Sequence, residues 1–277
     1  MKILDGRIIK EQVFDMLKEK VSGLSVKPSF VVIQVGNVEA SNIYIRHKKK
    51  MAEYIGYDFS LMKFDENVSE DYLINEIKKL NNDDNINGIL VQMPLPDHID
   101  AGRIQNAVTP IKDIDGLHDL NAGILFHKKN TLYPCTPLGA MKLLKWYNIP
   151  LSGINAVVVG RSNLVGKPMA MMLTNADATV TLCHSKTKNL GEITKNADLL
   201  VVAVGSPKLI KSDMVKDGAI VIDIGINKTD SGLCGDVDFD NVSKKVSAIT
   251  PVPGGIGQMT VAMLANNILK AYEIQKG

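Results

Sequence analysis

Short β-branched runs alternate along this chain with longer segments whose apolar positions recur every three or four residues, the pattern of parallel α/β architecture. In the first half the strand-like runs are FVVIQVG at 30–36, DFSLMKF at 58–64 and INGILVQMPLP at 86–96, with helical spacing over 40–54 and 69–80 between them. The N-terminal MKILDGRIIKEQVFDMLKEK reads as an amphipathic helix after a short lead. A loop-rich stretch, TPIKDIDGLHDLNAGIL, precedes a helix that runs to about Trp146 with Pro137 in its first turn. The alternation then restarts, with strand-like runs at 154–160, 178–184, 197–205 and 219–225 that read as buried. MTVAMLANNILKAYEIQ closes the chain as a helix. The break at 150–153 divides the pattern into two α/β domains, and a cleft between them is the expected place for chemistry.

Composition narrows the class. At 277 residues, 45% hydrophobic and 22% charged, the chain has the make-up of a globular protein with room for two cores. A net charge of +2, with acidic residues interspersed among basic ones, does not describe a nucleic-acid or membrane surface. Cys135, Cys183 and Cys234 are far apart and form no CxxC pair, which suits a reducing compartment and no metal site. The N-terminus lacks a signal-peptide core, and LLVVAV at 199–204 is far too short to span a bilayer, so a cytoplasmic protein is expected.

The segment VVVGRSNLVGKPMAMML ends a strand at Gly160, turns, and enters a helix near Val165 with Pro168 early in it. A Rossmann-type domain places a dinucleotide pyrophosphate at such a turn. The spacing is not GxGxxG, since Gly160 and Gly166 stand six apart, and a glycine turn alone is common in α/β proteins. The following strand ends in CHSKTK, with Ser185, Lys186, Thr187 and Lys188 where an NAD site carries an acid. Hydroxyls and cations there, with Arg161 after Gly160, suit the 2′-phosphate of NADP; a polar loop at a sheet edge is the alternative. Gly205 and Gly225 end the next two strands and would allow a cofactor close to the backbone.

In ASNIYIRHKKKMAEYIG, four basic side chains and a histidine occupy 46–50. Ser41, Tyr44 and Lys48 are spaced three and four apart and share one helical face, whereas Arg46, Lys49 and Lys50 point elsewhere. A solvated helix face accounts for most of the run and leaves Lys48 open. Gln92, after GILV, is a polar side chain at the carboxyl end of a buried strand. Asp113 and Asp115 in KDIDGL fit an Asp-Gly turn or a ligand-facing carboxylate. PVPGGIGQM at 251–259 is either a connection or a backbone wall against a flat ligand.

Together these segments resemble the bifunctional methylenetetrahydrofolate dehydrogenase/methenyltetrahydrofolate cyclohydrolase family. The blocks ASNIYIRHK, GILVQMPLP, PIKDIDGLHDLNAGIL, PCTP, VVVGRSNLVGKP, HSKT, ADLLVVAVG, VIDIGIN, GDVDF and TPVPGGIGQMT occur in the family's order over nearly the whole chain. The resemblance implies a catalytic, folate-binding domain over 1–138, completed by the C-terminal helix 259–277, and an NADP-binding Rossmann domain over 139–258. It implies NADP-dependent oxidation of 5,10-methylenetetrahydrofolate, hydrolysis of the methenyl product to 10-formyltetrahydrofolate, and a homodimer formed mainly through the cofactor domain. The family's catalytic Tyr-x-x-x-Lys falls on Tyr44 and Lys48. Lys48 is expected as the acid/base group of hydration, Gln92 as its tuning partner and Tyr44 as a stacking platform. Ser41, Asp115, Pro253, Gly254 and Gly255 are expected against the folate. Gly160, Arg161, Ser162, Ser185 and Ile226 are expected against NADP. The chain departs from the family at Val38 and Glu39 (usually Asp-Pro), at Asn163 and Leu164 (often His-Ile) and at Gln258 (usually Pro). A dehydrogenase lacking the second activity, a shikimate-type dehydrogenase, and a non-enzymatic NADP-binding protein are the rival readings; retention of Lys48, Gln92, KDIDG and PGGIG argues against them.

Overall fold

The computed structural model describes residues 1–230 and 232–276. Along the chain, β1 (Lys2–Ile3) and α1 (Gly6–Ser22) precede β2 (Ser29–Val35), α2 (Glu39–Ile55), β3 (Asp58–Phe64), α3 (Glu70–Asn81) and β4 (Gly88–Val91). Helices α4 (Ala101–Ala107), α5 (Asp119–Phe126) and α6 (Cys135–Trp146) lead to β5 (Asn155–Val159), α7 (Gly166–Asn175), β6 (Thr179–Cys183), α8 (Leu190–Thr194) and β7 (Leu199–Val202). Strand β8 (Ile220–Asp223), the antiparallel pair β9 (Asn227–Thr229) and β10 (Gly232–Cys234), α9 (Phe239–Val242), β11 (Ala248–Ile249) and α10 (Ile256–Lys276) complete the order.

Two compact units result. One comprises Gln12–Tyr133 and Leu264–Gly277. Its parallel sheet has the order β3-β2-β4. Val31, Ile33, Val35, Ile89 and Val91 pack on Leu73 and Ile77 of α3, which stand four apart and so share a face. Ser69 caps α3 by accepting from the Tyr72 N–H, Glu70 and Asp71 occupy its first turn, and Lys78 and Lys79 its last, all favourable to the helix dipole. The expected strand at 86–96 is shorter than its apolar run, because the chain turns after Val91.

The other unit comprises Met1–Glu11 and Pro134–Met263. Its sheet, β1-β11-β8-β7-β5-β6, is parallel throughout. The central strands β5 and β7 are buried on both faces, which explains why Val157, Val158, Val159, Leu199, Leu200, Val201 and Val202 form unbroken apolar runs. Strand β6, expected to be buried, lies at the sheet edge instead; Thr179, Thr181 and Leu182 are exposed there. The pattern break at 150–153 falls inside this unit. Helix α6 belongs with it, since Gly139 sits where a Cβ would lie 2.8 Å from the Met259 Cβ and the Thr136 and Thr260 hydroxyls are 3.0 Å apart. The N-terminal residues join through β1, whose Lys2 N–H donates to the Ser247 carbonyl at 2.7 Å. No helix among the described residues is long and apolar enough to cross a membrane.

Candidate active site

Helix α2 presents Ser41, Tyr44 and Lys48 in one stripe beside the end of β4. Ser41 is buried, Lys48 half-buried and Tyr44 52% exposed, whereas Arg46, His47, Lys49 and Lys50 are all exposed. Lys49 makes a 3.8 Å contact with Glu53 along the helix surface. Most of the basic run is therefore a wet helix face, and Lys48 departs from it. The Lys48 Nζ donates to the Gln92 Oε1 at 2.7 Å. The Gln92 Nε2 in turn donates to the Met93 carbonyl at 2.7 Å, and the Ser41 hydroxyl donates to the same carbonyl at 3.3 Å. An ammonium has no acceptor, so Lys48 must face the amide oxygen, and the Met93 carbonyl holds the amide in that orientation. The Gln92 backbone N–H donates to the Ile33 carbonyl at 2.8 Å, fixing the turn that carries it. Sequence reading did not anticipate the Met93 carbonyl, because a main-chain acceptor leaves no mark on side-chain patterns.

The two aspartates of KDIDGL separate cleanly. Asp113 is buried, and its carboxylate accepts from the N–H groups of Gly116 (3.1 Å) and His118 (2.8 Å) and from the Asn121 Nδ2 (3.0 Å). Burial pushes its carboxyl up to about 6, against three donors that favour the ionised form. Asp113 is thus the clamp of the loop. Asp115, two residues on, is half-buried. The loop is laid against β4 by a parallel bridge between Ile89 and Asp113, with the Ile89 N–H donating to the Lys112 carbonyl at 2.7 Å. Asp115 therefore follows a segment registered on the same strand that Gln92 follows.

In the six-stranded unit, Gly160 follows β5 and the chain turns into α7. Gly160 has φ +124° and sits so close to β7 that an added Cβ would lie 2.2 Å from the Ala203 carbonyl oxygen. A Cβ on Gly166 would lie 1.9 Å from the Gly160 carbonyl oxygen. Gly160 thus packs the turn against the chain leaving β7 and Gly166 packs the helix start against the turn, which explains a six-residue spacing where GxGxxG was absent. The Ser162 hydroxyl accepts from the Val165 N–H at 3.2 Å and the Gly166 N–H at 3.4 Å, so this expected cofactor residue also holds the turn that leads into α7. Arg161 is exposed, and its guanidinium has no ion pair among the described residues. At the end of β6, the His184 N–H donates to the Thr187 hydroxyl at 2.8 Å, forming a turn that leaves Ser185, Lys186 and Lys188 exposed, with no ion pair to either lysine among the described residues. Cations and a hydroxyl without carboxylate competition fit a phosphate-bearing dinucleotide. Ile226 is 52% exposed after β8.

Pro253, Gly254 and Gly255 belong to this same unit. Pro253 is exposed, whereas Gly254 and Gly255 are buried, and the Gly254 carbonyl accepts from the Gly6 N–H at 2.9 Å. Of these three, Pro253 alone offers an exposed side chain. Gln258, at the family's proline position, accepts from the Lys10 Nζ at 2.9 Å, and Asn163 accepts from the Lys167 Nζ at 2.8 Å. Gly225 is not open to a cofactor on its Cα side, because the Asp236 carboxylate fills that space. Among the described residues no group of His, Cys, Asp or Glu could hold a metal.

Comparison with known proteins gives this geometry its context. Residues 4–115 match the catalytic domain of tetrahydrofolate dehydrogenase/cyclohydrolase, and residues 134–276 match the NAD(P)-binding domain of the same enzymes. The chain is 52% identical over 277 residues to the bifunctional protein FolD of Campylobacter concisus, covering 99% of this chain and 98% of that one. The crystal structure of FolD from Campylobacter jejuni superposes with a TM-score of 0.97 at 48% identity, covering 99% of both chains. That of the Trypanosoma brucei methylenetetrahydrofolate dehydrogenase-cyclohydrolase, complexed with NADP cofactor and inhibitor, gives a TM-score of 0.92 at 35% identity over 98% of this chain and 97% of that one. With both domain models matched in order and half of all positions shared with a full-length relative, this chain belongs to the tetrahydrofolate dehydrogenase/cyclohydrolase family.

Proposed function

We propose that the protein oxidises 5,10-methylenetetrahydrofolate to the 5,10-methenyl cation with NADP and hydrolyses that cation to 10-formyltetrahydrofolate. The observation that carries the second activity is the 2.7 Å hydrogen bond between Lys48 and Gln92, held in orientation by the Met93 carbonyl. NADP, when bound, accepts hydride from the one-carbon bridge. The first step needs positioning more than a base, because the departing hydride takes the electron pair with it. Tyr44 offers an exposed ring on which the pterin or p-aminobenzoyl group stacks, and Asp115 accepts from pterin N–H and amino groups. Pro253, Gly254 and Gly255 line the folate.

Hydration then requires proton traffic. Water adds to the cationic carbon and loses a proton, giving a carbinolamine; the carbon–N5 bond then breaks as N5 takes up a proton and the hydroxyl gives up its own, leaving the formyl group on N10 with one proton released overall. Lys48 is the acid/base group of these transfers. A neutral amide partner holds the amine in place without the negative charge by which a carboxylate would favour the ammonium form. On the cofactor side, Gly160 and Ser162 shape the turn, Arg161 and Ser185 take the 2′-phosphate, and Ile226 packs against the nicotinamide. The active protein is a cytoplasmic homodimer joined mainly through the cofactor unit.

The deciding experiment is an absorbance time course on methylenetetrahydrofolate, with NADP and separately with NAD. Reduced cofactor forming with NADP while little methenyl compound accumulates supports both activities. Accumulation of the methenyl compound would remove the hydrolytic step, and absence of turnover with either cofactor would remove the enzyme.

A further inference from the structure

Two buried carboxylates in the six-stranded unit take no part in the chemistry just described. Asp223 ends β8; its oxygens accept from the N–H groups of Gly225 (3.0 Å), Asp236 (3.0 Å) and Val237 (2.9 Å). Asp236, fully buried in the segment after β10, has four donors. Its Oδ2 accepts from the Val204 N–H at 2.7 Å and the Gly205 N–H at 3.0 Å. Its Oδ1 accepts from the Ser206 N–H at 2.8 Å and the Asn227 Nδ2 at 2.9 Å. The packing is reciprocal. A Cβ on Gly225 would lie 2.2 Å from the Asp236 carboxyl, and a Cβ on Gly235 would lie 1.9 Å from the Asp223 Oδ2.

One carboxylate therefore gathers the chain segment leaving β7 (204–206) and Asn227, and packs against Gly225, so that it reaches both residues flanking Ile226 after β8. Both segments stand at the carboxyl ends of adjacent parallel strands, where open α/β sheets take their ligands. Each also carries an exposed apolar side chain next to an anchored group: Val204 is 37% exposed and Ile226 52%. Three successive N–H groups turned inward onto a carboxylate are a costly use of main chain unless the shape they impose matters, and a buried charge without its donors is costlier still. We propose that Asp236 is a positioning residue for the dinucleotide, setting the segments that carry Val204 and Ile226 so that the nicotinamide is received in one orientation. This rests on the NADP reading above. Asp236 acts through those segments and does not itself touch the cofactor.

The test compares the parental protein with Asp236→Asn, measuring KM and Kd for NADP, methenyltetrahydrofolate hydrolysis without cofactor, and thermal unfolding. The amide keeps one acceptor and turns an NH2 group toward donors, so the KM for NADP is expected to rise about tenfold or more, the size of losing one or two charge-assisted hydrogen bonds. Hydrolysis is expected to stay within about twofold, since it uses Lys48 and Gln92. The charge-preserving swap Asp236→Asn/Asn227→Asp, in which the new amide donates to the new carboxylate, is expected to recover part of the lost affinity. If Asp236→Asn does not fold, Asn227→Ala removes a single donor and should still raise the KM for NADP by about threefold. Unchanged NADP affinity in a folded variant, or parallel loss of both activities in step with the melting temperature, would overturn the proposal. If the parental protein itself bound no NADP, the cofactor reading would fail first and this inference with it.

Discussion

The Lys48 stripe and the Gly160 turn solve the problem of making a site in opposite ways. Around Lys48 the work falls to side chains: a helix offers Ser41, Tyr44 and Lys48, the residue after a strand offers Gln92, and a single main-chain carbonyl ties Ser41 to Gln92 and, through Gln92, to Lys48. Around Gly160 it falls to the absence of side chains, because one glycine lets the turn approach the chain leaving β7 and another lets the helix start approach the turn, both to separations no Cβ tolerates. The first arrangement can lose one group and keep its scaffold. The second cannot. Chemistry that moves protons needs specific functional groups, whereas holding a phosphate chain needs backbone shape, and the roles proposed for the two regions divide along that line.

Substitutions can break or sharpen this contrast. The largest effect is expected for Lys48→Met, which should lower hydrolysis of the methenyl compound by about 10²–10⁴-fold, the usual worth of a positioned acid/base group. NADP binding and the melting temperature should stay near parental. Hydrolysis at the parental rate would take Lys48 out of its role. Gly166→Ala should instead destabilise its unit by about 3 kcal/mol or more, since the new methyl meets backbone that has nowhere to move; a melting curve superposable on the parental one would show that the turn yields. Next comes the aspartate pair. Asp113→Asn should cost about 1–3 kcal/mol in chemical denaturation, because the amide turns a donor toward other donors at a buried site. Asp115→Asn should leave unfolding nearly unchanged yet raise the KM for the folate substrate in both reactions; the reverse pattern would exchange the two assignments. The smallest effect is expected for Arg161→Ala, a rise of about tenfold in the KM for NADP with that for NAD unaffected. Equal weakening of both cofactors would remove the guanidinium from the 2′-phosphate.

Local spacing alone placed most of the elements. The Ser41, Tyr44 and Lys48 stripe follows from helical periodicity, the β5 turn from a valine run ending in glycine, and α6 from Pro137 in its first turn. The order of short motifs was enough to suggest the family. Tertiary structure alone decided how distant segments meet: Gln92 lies 44 residues from the lysine it holds, and Asp236 lies 30 or more residues from the N–H groups it gathers. It also decided that Asp113 is the loop clamp, that β6 is an edge, and that Met1–Glu11 joins the six-stranded unit through a two-residue strand. The reason is physical. Periodicity reports which face of an element is apolar, a property of neighbours in the chain. A hydrogen bond between segments depends on where the whole fold brings them, and no pattern within either segment carries that information.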